Sequence, residues 1–317
     1  MRKKLIESGR LHNNQRLSFG VYMDNNPEFI FASFGAGLSN SILFAINTGF
    51  RGETLAKVID QANISFLIIN ESTVNEVEPI INNSTVIHAD DIYYAGNNNG
   101  YAAQGFHSLE EAVDHAQHEN IPKNYRTKID NFSPVIVIYT SGTSGLPKGV
   151  PCTHIKLVGA GFIVQFAVHL NKNDRGYISM PLFHSNAWYI GILPQLIVGG
   201  SFVLKRRFSA SAFEEDMLRY GVTFLNYVGQ PLHYIIEALE RKYGSGEAVE
   251  TALAHHPHHG EVVADEQVGQ AHLALQVLQH VQGTHPQRGV QHRGRLVGQQ
   301  HLRHPRRLKQ RRLSSTG

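Results

Sequence analysis

Val135-Ile136-Val137-Ile138-Tyr139 is apolar at every position. A strand with one face in water alternates apolar and polar side chains. A run without a polar position suits a strand covered on both faces, the situation of a parallel strand inside an α/β layer. The segments around it agree. Leu17–Met23, Ile42–Ile46, Ser65–Ile69, Gly176–Met180, Phe202–Leu204 and Val222–Tyr227 read as strands. Gly52–Ala62, Thr153–Leu170, Ser209–Arg219 and Pro231–Arg241 read as helices, and Asn26-Pro27-Glu28 as a helix start with Asn26 as N-cap. Gly96–Gly105 is Gly/Asn/Ala-rich and reads as loop. Repeated βα units imply a parallel α/β sheet flanked by helices.

This pattern holds only for the first four-fifths of the chain. Residues 251–317 contain 10 of the 19 His, 10 Gln and 9 Lys or Arg, against only Glu261, Asp265 and Glu266. All 16 Phe, 12 Tyr and the 1 Trp precede that segment, the last being Tyr243. The net charge of +3 is therefore the sum of an acidic body and a basic tail. The basic balance is no argument that the body binds acidic partners. The tail's histidines lack a fixed ligand spacing and no aromatic is present to stack bases, so neither metal nor nucleic acid is expected there. It is expected to be disordered, and three origins stay open: translation in a shifted frame, a true appendage, or an atypical domain. The boundaries drawn are 1–252 for the body and 253–317 for the tail.

A single cysteine excludes a disulfide scaffold and a multi-thiolate zinc site. Met1-Arg2-Lys3-Lys4-Leu5-Ile6-Glu7 is charged and unlike a signal peptide. Gly159–Leu170 and Ala187–Gly199 fall short of the ~18 apolar residues of a membrane span. The expected location is cytoplasmic or peripheral to a membrane, and not secreted.

The strongest chemical signal follows the apolar strand: Tyr139-Thr140-Ser141-Gly142-Thr143-Ser144-Gly145-Leu146-Pro147-Lys148-Gly149. Glycines let a backbone approach a polyphosphate, exposed N–H groups and hydroxyls donate to its oxygens, and Lys148 adds a point charge. A Walker A loop is excluded, because Pro147 precedes the lysine and glycine follows it. The same composition also suits a plain Gly/Ser hairpin turn. His184, beside Phe183 and an apolar segment, reads from these residues alone more readily as a hydrogen-bonded core residue than as a site residue. Tyr227 and Gly229 sit at the end of a strand, where ligands bind in open α/β sheets, but packing explains them equally well. Trp188 and Tyr189 suit ordinary core or the lining of an apolar channel.

The order of residues in the loop resembles the ATP-binding loop of the adenylate-forming superfamily, with Ser144 where many members carry a second Thr. Asp24-Asn25-Asn26-Pro27-Glu28-Phe29 is similar to that family's early Asn-x-Pro-Glu helix start. Ile46-Asn47-Thr48-Gly49-Phe50-Arg51-Gly52 is similar to its Asn-Thr…Arg-Gly segment, and Pro181-Leu182-Phe183-His184-Ser185-Asn186-Ala187 to its histidine motif. Arg207-Phe208-Ser209-Ala210-Ser211, Arg219-Tyr220-Gly221-Val222-Thr223 and Tyr227-Val228-Gly229 resemble the fatty-acid-transport-protein branch of long- and very-long-chain acyl-CoA synthetases. The resemblance covers about residues 15–250.

It implies part of the large N-terminal domain of that fold, and a ligase that joins a fatty acid to coenzyme A through an acyl-adenylate made from ATP. Thr140, Ser141, Gly142, Thr143, Ser144, Gly145 and Lys148, with Mg²⁺, would hold the ATP phosphates. His184 would position the carboxylate, with Tyr227 and Gly229 near the substrate. The family's later Tyr-Gly-x-Thr-Glu segment, its ribose aspartate and its small C-terminal domain are not found, so the chain is expected to be a fragment. A remnant that binds without turnover and an adenylating enzyme for another acid remain the alternatives.

Overall fold

The computed structural model describes residues 15–81, 86–96, 104–116, 129–140, 146–227, 229–244 and 261–263, with isolated positions at 5, 7, 11, 12 and 84. Two sheets form among them. The first contains β1 (Ser18–Tyr22), β2 (Ile42–Ala45), β3 (Leu67–Asn70), β4 (Ile92–Ala95), β5 (His107–Ser108), β6 (Pro134–Thr140) and β7 (Lys148–Thr153), in the order β5-β4-β3-β1-β2-β6-β7. Every pairing in it is parallel except β6 with β7. The second contains β8 (Arg175–Ile178), β9 (Ser201–Leu204), β10 (Phe224–Asn226) and β11 (Glu261–Val263), in the order β11-β10-β8-β9 and parallel throughout.

The helices are α1 (Pro27–Leu38), α2 (Gly52–Ala62), α3 (Val74–Ile81), α4 (Leu109–Asp114) and α5 (His154–Val168). A π-helical turn, Ala187–Ile192, then runs into α6 (Leu193–Val198), followed by α7 (Phe213–Tyr220) and α8 (Gly229–Tyr243). α2 has the bounds its apolar spacing predicts, burying Leu55, Val58, Ile59 and Ala62 on one face. At α1, Asn26 stands at the N-cap with extended backbone, but its side chain makes no capping bond. Pro27 at the first position has no N–H to satisfy.

Side chains alternate across β1, and that alternation builds two cores. Phe19 and Val21 join Leu43, Ile136, Ile138, Phe29, Ile178, Trp188 and Ile192 in a cluster fed by both sheets, α1 and the π-turn. Tyr22 points the other way, into a cluster with Ile46, Leu55, Ile59, Leu67, Val77 and Ile92. Gly20 faces that second cluster, where a Cβ would lie 2.6 Å from Leu67 and 2.9 Å from Ile64. A third cluster, Tyr177, Val222, Leu225, Leu232 and Ile235, lies under α7 and α8. The Asn47–Gly52 segment is tied down by Arg51, which donates to the Tyr22 hydroxyl at 2.7 Å and pairs with Glu76 at 3.0 Å.

β7 is a strand that the sequence reading takes as loop. Among the described residues it pairs only with β6, so Pro151 is tolerated there as on any sheet edge. Of residues 253–317, only Glu261–Val263 lies among the described residues, as β11 paired with β10. No helix among the described residues is long and apolar enough to cross a membrane.

Candidate functional site

The carboxyl ends of β1, β6, β8 and β10 carry the residues with chemical potential, as ligand sites in open α/β sheets do. Thr140 ends β6 and Lys148 opens β7, and the two are register partners in the antiparallel pair. Thr140 Oγ1 donates to the Lys148 carbonyl at 3.4 Å. The Gly/Ser/Thr loop is thus the connection of a hairpin whose two stems are fixed. Lys148 is exposed at its mouth. Ser141, Gly142, Thr143, Ser144 and Gly145 lie outside the described residues. Gly149 sits tight against the sheet: a Cβ there would come 2.8 Å from Val137 Cγ1.

His184 lies in the segment after β8. Its backbone N–H donates to the Pro181 carbonyl at 2.9 Å, closing a turn, and its ring lies 4.8 Å from that of Phe183. The residue is exposed by surface area, yet enough of the ring is desolvated against the protein body to hold its pKa below the usual histidine value. At neutral pH the uncharged imidazole is therefore favoured.

The backbone two residues earlier is clamped from both sides. Leu182 N–H donates to Asn25 Oδ1 at 2.7 Å, and Trp188 Nε1 donates to the Leu182 carbonyl at 2.7 Å. Trp188 is 1% exposed and packs on Phe29 of α1, so it is core and anchor rather than channel lining. Tyr189 packs partly buried against the same cluster and lies near enough to Cys152 of β7 for each to shift the other's pKa. That proximity brings the Gly/Ser/Thr-loop hairpin next to the π-turn after His184. Burial pushes the Cys152 thiol up, with Tyr189 and Lys156 pulling it partly back.

At the end of β10, Asn226 Nδ2 donates to Asn186 Oδ1 at 2.5 Å. The remaining amide atoms, Asn186 Nδ2 and Asn226 Oδ1, are buried and without a hydrogen-bond partner among the described residues. They leave a donor and an acceptor unmet two residues from His184. Tyr227 is 7% exposed within the third apolar cluster. Gly229 opens α8 rather than ending a strand, since β10 stops at Asn226.

The structure thus joins His184, Asn186 and the end of β10 into one edge, and links that edge to β7 through Tyr189. The sequence reading missed Asn25, Asn186, Asn226 and Cys152. A signal was present for one of them: a lone amide closing the apolar pair Phe224-Leu225 at a strand's carboxyl end.

No group of three His, Cys, Asp or Glu able to hold a metal ion occurs among the described residues.

Comparison with known proteins gives this edge its context. The chain is 34% identical over 222 residues to the medium/long-chain-fatty-acid–CoA ligase FadD17 of Mycobacterium marinum, covering 70% of this chain and 40% of that protein. It is 28% identical over 233 residues to human long-chain fatty acid transport protein 6, covering 74% and 37%. Among solved structures, a long-chain-fatty-acid–CoA ligase (FadD1) from Archaeoglobus fulgidus superposes with a TM-score of 0.61 at 20% identity, covering 75% of this chain and 44% of that one. An anthranilate–CoA ligase, AuaEII, solved with anthranoyl-AMP, superposes at 0.59 and 18% identity, covering 69% and 41%. The chain spans about two-fifths of the length of these curated relatives. Residues 11–292 match the family described as AMP-binding enzyme, a span that includes both sheets and continues past the compositional break. The chain belongs to the AMP-binding enzyme family.

Proposed function

We propose that the chain carries the phosphate-binding and carboxylate-positioning part of a medium- or long-chain fatty acid:CoA ligase. The observation that carries this reading is the 34% identity to FadD17, sustained over 222 residues. In the first step a fatty-acid carboxylate oxygen bonds to the α-phosphorus of ATP and the bond to the β-phosphate bridge breaks, giving acyl-adenylate and pyrophosphate. In the second, the thiol of coenzyme A attacks the acyl carbon and AMP leaves.

The first barrier is the meeting of two anions, so positioning and charge neutralisation dominate. The loop from Thr140 to Lys148 supplies donors and one ammonium for the β- and γ-phosphates. Mg²⁺ commonly takes one or two carboxylates plus substrate phosphates, so it enters with the nucleotide, as Mg·ATP. His184, neutral at pH 7, donates one hydrogen bond to the carboxylate without cancelling the nucleophile's charge. Tyr227 and Gly229 contribute the wall of the acid site. The working part is placed at 1–252. Residues 253–317 are set apart by composition, against which stand β11 and the family match to residue 292, and reading the encoding DNA in its other frames tests the frame-shift origin. A recovered Tyr-Gly-x-Thr-Glu segment supports a frame shift, and its absence from both frames refutes one. Small molecules are the partners of this reading, with peripheral membrane contact as a further possibility for the whole ligase.

A remnant that binds without turnover is the second reading. Pyrophosphate release from Mg·ATP plus oleate separates the two. Oleate-dependent release that disappears in Lys148→Ala supports the ligase reading. No release, with nucleotide binding retained, establishes the remnant.

A further inference from the structure

The Asn25-Asn26-Pro27-Glu28 motif looks like a helix start, yet Asn25 lies outside α1 and does no capping. Its carboxamide is 7% exposed and is used in full across the two sheets. Nδ2 donates to the Met180 carbonyl at 3.0 Å and to the Lys205 carbonyl at 3.0 Å, while Oδ1 accepts from Leu182 N–H at 2.7 Å. Asn25 follows β1 in the first sheet; Met180 and Leu182 follow β8, and Lys205 follows β9, in the second. One side chain therefore gathers the carboxyl ends of three strands from two sheets. Its neighbour Asp24 adds an ionic contact to the same place, pairing with Arg207 at 2.9 Å and Arg206 at 3.4 Å.

We propose that Asn25 is the positioning residue of the His184 segment: it fixes the backbone of Leu182, and with it the turn from which His184 projects, against the end of the first sheet. The need for asparagine follows from the atoms. Two carbonyl oxygens require two donors and one N–H requires an acceptor, all on one planar group three bonds from the backbone. Aspartate has the shape but sets a carboxylate oxygen against two carbonyls. Serine and alanine leave buried main-chain groups unpaired, which is the costly outcome for a buried polar group. The π-turn completes the clamp through Trp188, and π-helical turns often occur where a functional segment is held. The proposal concerns a segment that the proposed ligase reading uses, but it is a statement about structure and is read without turnover.

The test uses the full 317-residue chain and three variants, Asn25→Asp, Asn25→Ala and Trp188→Phe. The readouts are amide hydrogen exchange and the imidazole NMR signals of His184. The expected result for Asn25→Asp is exchange at Leu182–Ser185 faster by about ten-fold or more, roughly the effect of losing one or two buried hydrogen bonds. The His184 ring signals should shift, with β1, β2 and β6 keeping their protection. Trp188→Phe should loosen the same four residues. Unchanged exchange and unmoved His184 signals in Asn25→Asp overturn the proposal. So does a uniform loss of protection across both sheets in Asn25→Asp and Asn25→Ala, since Asn25 would then hold the fold and not the segment. Oleate-dependent pyrophosphate release is measured in parallel. Its absence in the unsubstituted chain counts against the ligase reading and leaves the exchange result intact.

Discussion

Cys152 in the edge strand β7 and Tyr189 in the π-turn lie close enough to shift each other's pKa, the tyrosine pulling the thiol down and the thiol pushing the tyrosine up. The contact is the meeting point of the two halves of the candidate site, since β7 is the outgoing stem of the Gly/Ser/Thr loop and the π-turn is the outgoing stem of the His184 segment. The thiol is 2% exposed and burial raises its pKa, so the thiolate fraction at neutral pH is lower than in a free cysteine. Alkylation by iodoacetamide at pH 7.5 should therefore be slower in the folded chain than in urea by about 100-fold or more. Tyr189→Phe removes a group that pulls the thiol's pKa down, so it should slow the folded-state reaction further. Equal rates in folded and unfolded chain would place Cys152 at an open surface.

Lys148 is exposed. Lys148→Ala should leave the melting temperature within the range of ordinary surface changes, about 0.5 kcal/mol. It should weaken ATP binding and leave fatty-acid binding unchanged, measured by calorimetry with each ligand separately. Equal losses for both ligands would remove its phosphate role. Gly149→Ala is expected to behave oppositely. Its Cβ would press on Val137 in the centre of β6, so thermal stability should fall together with ATP binding.

Burial also depresses the pKa of His184 and of His154, the latter with Arg16 as a further cause. The sign follows from proton counting. The unfolded chain titrates near the free histidine value of about 6.5, and the folded chain binds the same protons only at lower pH. Between those two pKa values the unfolded state holds more protons, so stability rises with pH through that window. The melting temperature should fall as pH drops below about 6.5, and His184→Gln should flatten part of that slope. A slope of opposite sign would mean that these imidazoles gain an anionic partner on folding.

Asp216, 6% exposed, accepts from the Tyr177 hydroxyl at 2.7 Å and from Lys205 Nζ at 2.8 Å. Tyr177 is fully buried, and burial with the Asp216 contact raises its pKa. Asp216→Ala leaves a hydroxyl and an ammonium without their acceptor. It should cost about 3 kcal/mol, the low end for a broken buried pair because Lys205 still reaches water. Urea denaturation of Asp216→Ala against Tyr177→Phe measures it, and equal small losses in both would show that the ammonium is fully solvated.

The parts of this fold that can be read from sequence are those where one local rule decides. α2 keeps its bounds because apolar spacing and Asn63, in the left-handed conformation at its C-cap, agree. β6 is legible because nothing polar interrupts it. β7 is hidden because Gly149 and Pro151 break any strand pattern, and they survive there only because the strand lies on an edge. α3 carries Pro79 inside it and is held by its packing with Val74, Val77 and Ile80. In the site, Lys148 and His184 stand out as chemistry in a motif. Asn25, Asn186 and Asn226 do not, because an asparagine's role depends on carbonyl and N–H groups 40 to 180 residues away. Sequence spacing cannot supply that information.

Two helices show what the described residues do not cover. α1 exposes Phe31, Phe34 and Leu38, and α5 exposes Ile155, Val158, Phe162, Ile163 and Phe166, the last at 76%. Each set follows helical spacing, while the opposite faces of both helices are also apolar. Helices apolar all round belong inside larger bodies. Exposed apolar stripes of this kind bind hydrophobic dyes and promote association. The double change Phe162→Ser with Phe166→Ser should lower 8-anilinonaphthalene-1-sulfonate fluorescence and raise solubility. Because neither ring sits in the core, it should shift stability by no more than about 0.5 kcal/mol. Unchanged dye binding with a large stability loss would show instead that both rings are covered in solution.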